Sequence, residues 1–164
     1  VLLASNLSPS MLELGLSEVV LMDNDSDVLK FLQELKETGV YLSLDNFGTN
    51  HAPISYLGRH PLDEIKIDRS FVLDCDTRKD AARLVKAIIA MAKSLNLRTV
   101  AEGVETAGQY RFLVANGVSI MRGYLFSKPV PAAELQQLLI VPWHFMPQLQ
   151  RMALIGELKS PSGN

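Results

Sequence analysis

Short apolar runs alternate along the chain with longer stretches whose hydrophobic residues recur every three or four positions. The short runs fall at residues 11–16, 40–44, 64–67, 98–101 and 119–125 and predict strands. Between the first two, Val28, Leu29, Phe31, Leu32 and Leu35 keep helical spacing behind a cap at Ser26 or Asp27, and Gly39 closes the segment. Residues 77–95 carry Ala81, Leu84, Val85, Ile88, Ile89, Ala92 and Leu95 on one stripe, which predicts an amphipathic helix of about five turns. Shorter helices are predicted at 107–115, ended by Asn116-Gly117, and at 132–139. Strand and helix in strict alternation imply a parallel α/β sheet or barrel. Residues 141–164 break that rhythm with Pro142 and Pro147, then offer Leu149, Met152, Leu154, Ile155 and Leu158 before a polar tail. They predict a C-terminal helix that packs against the barrel, or else docks a partner, followed by a frayed end. The chain therefore divides into residues 1–140 and 141–164, with no internal repeat.

Composition adds boundaries rather than a function. With 164 residues, 48% of them hydrophobic and 21% charged, the chain is sized and mixed as one ordinary globular unit. A formal net charge of −2 gives no broad electrostatic reason to expect DNA, RNA or an anionic membrane as partner. Cys75, the single cysteine, cannot form an internal disulfide, which points to a reducing compartment and the cytoplasm. No apolar run approaches the roughly 18 to 20 residues of a membrane span, and the first residues lack a basic leader, so neither anchoring nor export of this segment is expected. His51, His60 and His144 lack ligand spacing and are expected on surfaces or loops.

In parallel βα folds the functional residues gather where strands end. Here those positions are polar: Glu18 after the first run, Asp45 and Asn46 after the second, Lys66 and Asp68 at the third, Glu102 and Glu105 at the fourth, Arg122 within the fifth. Carboxylates with a lysine on one rim suit divalent cations and phosphate esters, because magnesium takes hard oxygen ligands and paired ions can activate water. The competing reading makes Glu18, Asp68 and Glu105 helix caps or solvated rim charges.

The blocks Leu44-Asp45-Asn46-Phe47-Gly48-Thr49, Ile54-Ser55-Tyr56-Leu57, Ile65-Lys66-Ile67-Asp68-Arg69-Ser70-Phe71-Val72, Val100-Ala101-Glu102-Gly103-Val104-Glu105-Thr106 and Gly123-Tyr124-Leu125-Phe126-Ser127-Lys128-Pro129 resemble, in order and spacing, those of the EAL domain family. The likeness runs from about residue 7 to residue 139. It implies a TIM-like (β/α) barrel, here partial and lacking its first strands, of a kind that hydrolyses cyclic di-GMP with two magnesium or manganese ions. It assigns metal contacts to Asp45, Asn46 and Glu102, catalytic roles to Lys66 and Glu18, and ligand contacts to Asp68, Glu105, Arg122 and Pro129. The resemblance implies that the Glu-Ala-Leu motif itself and a later asparagine ligand belong upstream of Val1; Asn6 is a candidate for the latter, but Leu7-Ser8-Pro9 better fits the loop before the next strand.

Departures from the family pattern lower the expected chemistry. The family's Glu-x-Thr-Glu reads Gly15-Leu16-Ser17-Glu18, so Gly15 stands where the resemblance implies a metal ligand, while Glu18 keeps the residue that holds the loop after the second strand. The paired aspartates read Asp45-Asn46, and an amide brings no charge to offset the desolvation of a divalent ion. Arg122 replaces a glutamine, and the dimerisation loop reads Asn50-His51-Ala52-Pro53. These changes predict weak metal binding and an inactive module that binds cyclic di-GMP or a protein partner. The alternative is a metal-dependent phosphodiesterase completed by upstream sequence. Five strands of an eight-stranded barrel also leave two edges, which predicts a homodimer or completion by another segment.

Overall fold

A computed structural model describes residues 6–22, 26–48 and 54–140. Five parallel strands form one sheet in sequential order: β1 (Glu13–Ser17), β2 (Tyr41–Phe47), β3 (Glu64–Ile67), β4 (Arg98–Ala101) and β5 (Ile120–Met121). The helices that connect them are α1 (Glu18–Met22), α2 (Ser26–Glu37), α3 (Ile54–Leu57), α4 (Arg69–Val72), α5 (Lys79–Ser94) and α6 (Ala107–Ala115), with α7 (Ala132–Ile140) after the last strand. Five parallel strands in sequential order with helices between them bear out the predicted α/β class and partial barrel. The C-terminal helix expected within 141–164, the loop 50–53 with His51, and His144 lie outside the described residues.

Alternation along each strand separates two faces. Leu42, Leu44, Ile65, Ile67 and Ala101 face one way and are fully buried, in a core shared with Val85, Ile88, Ile89 and Ala92 of α5. Those four residues follow the i, i+3, i+4, i+7 stripe read from the sequence, and Cys75 joins the same core at 1% exposure. The other face carries Glu13, Gly15, Ser43, Asp45, Glu64 and Lys66, in register through the pairs Gly15–Ser43, Ser43–Glu64 and Lys66–Val100. Among the described residues, β1 and β5 are the two edges of the sheet. No described helix is long and apolar enough to cross a membrane.

Two strands differ from their predicted bounds. A 3₁₀ turn over Pro9–Met11 uses the N–H groups of Met11 and Leu12 for bonds to Ser8 and Pro9, so β1 starts at Glu13 rather than at residue 11. β5 shrinks to Ile120–Met121 because Val104 takes over from the neighbouring strand: its N–H donates to Arg122 O and its carbonyl accepts from Leu125, drawing the chain out of the sheet. Arg122 therefore follows β5 instead of lying inside it. The helix expected at 77–95 spans Lys79–Ser94, and α1, α3 and α4, each five residues or fewer, had no periodicity to announce them. Gly39, at φ +90°, ends α2 as the sequence suggested.

Candidate functional site

Lys66 is the centre of the inner face. Its side chain is 8% exposed, and its ammonium lies 2.7 Å from Glu13 Oε1 and 2.8 Å from Asp45 Oδ1. Burial opposes the charge on Lys66, but the carboxylates of Asp45 and Glu13 outweigh it and hold the amine above its ordinary value. The same lysine holds Glu13 below the usual carboxylate range against the desolvation that burial imposes. The contact to Asp45 has the length of an ion pair, and the ammonium is what offsets the burial of Asp45 Oδ1.

Gly15 explains the position of Asp45. A Cβ built on Gly15 would overlap the Asp45 carboxylate, which fills the space that a side chain on β1 would need. Asn46, next to it, is exposed and sits at φ +52°, where the β2–β3 register shifts between Leu44 and Phe47. Asparagine tolerates that left-handed backbone better than most residues, and the irregularity turns the strand end at the rim. Gly48 is also left-handed at φ +95°; its N–H donates to the carboxylate of Glu18, which is 1% exposed. Glu18 thus ties the start of α1 to the end of β2.

The other half of the rim is looser. Arg122 Nη1 is 3.8 Å from Glu102 Oε1, and the two side chains are 57% and 29% exposed. Glu105 pairs with Arg69 at 2.8 Å and is positioned by a capping box: Thr106 accepts from Gln109 N, while Gln109 Oε1 accepts from the N–H groups of Glu105 and Thr106. Gln109 is 2% exposed and anchors this corner through its donation to Leu73 O. Asp68 caps α4 by accepting from Ser70 N, the capping role weighed against ligand contact. Pro129 is exposed.

The structure therefore joins Asp45 to Lys66 and Glu102 to Arg122, and gives Glu18, Asp68 and Glu105 partners of their own. Sequence reading missed Glu13 as the second partner of Lys66, although alternation along β1 puts it on the face of Gly15. It also missed Glu64, 2% exposed on β3, whose carboxylate lies 3.3 Å from Arg98, a residue stacked over the Tyr41 ring at 4.7 Å. Burial first, then the nearby Glu13 charge, pushes Glu64 above the usual carboxylate range, and its Oε1 has no hydrogen-bond partner. A two-residue contact between strands carries no sequence signal beyond charge.

For a pair of divalent ions the donor set is short. Gly15 offers no side-chain oxygen, Asp45 is held by an ammonium and Glu102 faces a guanidinium, and the described residues contain no group of three or more His, Cys, Asp or Glu side chains able to hold a metal.

The chain belongs to the EAL domain family, whose pattern it matches over residues 1–129. It is 44% identical over 135 residues to the cyclic di-GMP phosphodiesterase NbdA of Pseudomonas aeruginosa, a match covering 82% of this chain and 17% of that protein. Among solved structures it is similar to the PaMucR phosphodiesterase in complex with c-di-GMP, at 41% identity and TM-score 0.76 over 82% of this chain and 54% of that one. The EAL domain of Mycobacterium smegmatis DcpA aligns at 34% identity and TM-score 0.81, over 86% of this chain and 65% of that one. The chain thus spans under a fifth of the curated relative and little more than half to two-thirds of these solved chains.

Proposed function

We propose that this chain is an EAL module of bacterial cyclic di-GMP signalling that acts by binding, to the cyclic dinucleotide or to a protein partner, rather than by hydrolysis. The observation that carries the reading is the capture of Asp45 by Lys66 over the bare backbone of Gly15. A metal ion at Asp45 would have to displace a buried ammonium 2.8 Å away and would find neither the glutamate absent at 15 nor a charge at Asn46. Magnesium sheds water reluctantly and favours near-octahedral oxygen sites, so this rim is a poor host for it or for manganese, and binding is expected to be weak. Removal of one preorganised electrostatic element costs a catalyst roughly 2.7 to 4 kcal/mol of barrier lowering, and several are changed here.

The residues that remain define a ligand surface. Asp68, Glu105, Arg122 and Pro129 lie on segments that follow β3, β4 and β5, and relatives crystallised with c-di-GMP make that dinucleotide the first candidate. Because β1 and β5 are the edge strands among the described residues, the reading includes a homodimer or pairing with another segment. A cytoplasmic setting fits the single buried Cys75, whose thiol burial and the neighbouring Asp76 charge push up to about 11. The test is an assay of c-di-GMP turnover to the linear dinucleotide with magnesium or manganese, run beside calorimetry with the same ligand. Binding without turnover is the expected result. Turnover that EDTA abolishes would establish the phosphodiesterase reading instead, and light scattering that finds a stable monomer would remove the dimer.

A further inference from the structure

The three departures at the rim share one sign. Relative to the pattern that the resemblance implies, Gly15 for glutamate, Asn46 for aspartate and Arg122 for glutamine each shift the local charge by one positive unit. Every carboxylate of the inner face has a protein cation within 4 Å: Glu13 and Asp45 share Lys66, Glu64 meets Arg98 and Glu102 meets Arg122. These cations are held unequally. Lys66 is wedged at 8% exposure, and Arg98 is committed to a buried glutamate and an aromatic ring. Arg122 is 57% exposed, and its ion pair among the described residues, to Glu102 of that face, is 3.8 Å long.

Resting on the binding reading above, we infer that Arg122 replaces a metal ion as the anchor for a phosphodiester, so that the rim binds a cyclic dinucleotide without any divalent cation. A guanidinium presents a planar fork of donors that matches two phosphate oxygens, and it is more weakly hydrated than an ammonium. Arg122 can leave a long, solvated contact with Glu102 at little cost, whereas Lys66 cannot leave two carboxylates. Loss of the charges at 15 and 46 removes repulsion that metal ions would otherwise have to screen.

Calorimetry of the whole chain with c-di-GMP in EDTA tests this. The wild type binds in EDTA, added magnesium or manganese changes the affinity less than twofold, and higher salt weakens it. Arg122→Gln weakens that binding about tenfold or more, as expected for loss of a charge-assisted pair. Asn46→Asp, which keeps the shape and left-handed tolerance of the residue, weakens it by a smaller factor. Circular dichroism checks that both variants fold. Binding that requires a metal, or that Arg122→Gln leaves intact, overturns the inference and leaves the binding module standing. No binding by the wild type in either condition overturns the inference together with the nucleotide reading.

Discussion

The two halves of the inner face solve the same electrostatic problem differently. Across β1, β2 and β3, one buried ammonium reaches two carboxylates at 2.7 and 2.8 Å. Across β4 and the end of β5, a guanidinium more than half exposed stands 3.8 Å from its carboxylate. Short contacts in a dry environment fix geometry and are costly to break, while long solvated ones contribute little to folding and leave their groups free for a ligand. One half is a clamp and the other is loosely held.

Removing the clamp should have the largest effect. Lys66→Ala leaves Glu13 and Asp45 facing each other without a cation, and is expected to destabilise the fold by about 3 kcal/mol, the low end for a broken buried pair because both carboxylates are about a third exposed. Urea denaturation measures it, and a loss below about 1 kcal/mol would break the contrast. Gly15→Ala comes next: its Cβ meets the Asp45 carboxylate, which must swing away from Lys66, at about 1 to 2 kcal/mol by the same measurement.

Glu64 sharpens the comparison through pH. Its folded pKa is raised, so the ionised form is the disfavoured one in the native state. Its contribution is therefore most favourable below the ordinary value of 4.5 and declines as pH rises from there through the folded value. Glu64→Gln should flatten that part of the stability profile and match or exceed the wild type at pH 7 by up to about 1 kcal/mol, since an amide can donate where a carboxylate leaves Oε1 unpartnered. Thermal melts of both proteins across the acidic range would read it, and parallel profiles would count against a strained Glu64. The smallest effect belongs to Arg122→Gln, expected to change stability by no more than about 0.5 kcal/mol, because its exposed pair is long. A larger loss in urea would mean that the second half is a clamp as well.

Much of the fold was legible because its signals are local. The stripe Val85, Ile88, Ile89 and Ala92 specified the long helix and the face it buries, and the runs at 64–67 and 98–101 coincide with β3 and β4. The rim was legible as a set of strand-end positions, and the structure pairs Asp45 with Lys66 there and Glu102 with Arg122. The end of β5 was not, since its length depends on hydrogen bonds from Val104, a residue with no strand signal of its own.

Sequence alone determined the family, the alternating elements and the changed motif residues Gly15, Asn46 and Arg122, all of which follow from residue identity and spacing. Only the tertiary structure decided what those changes do. That Asp45 leans over Gly15, that Glu13 from β1 reaches Lys66 on β3 across the intervening strand, and that Arg122 is left loosely held depend on registers between strands. Such registers are set by packing between segments distant in the chain, and no local pattern encodes a distance between two charges on different strands.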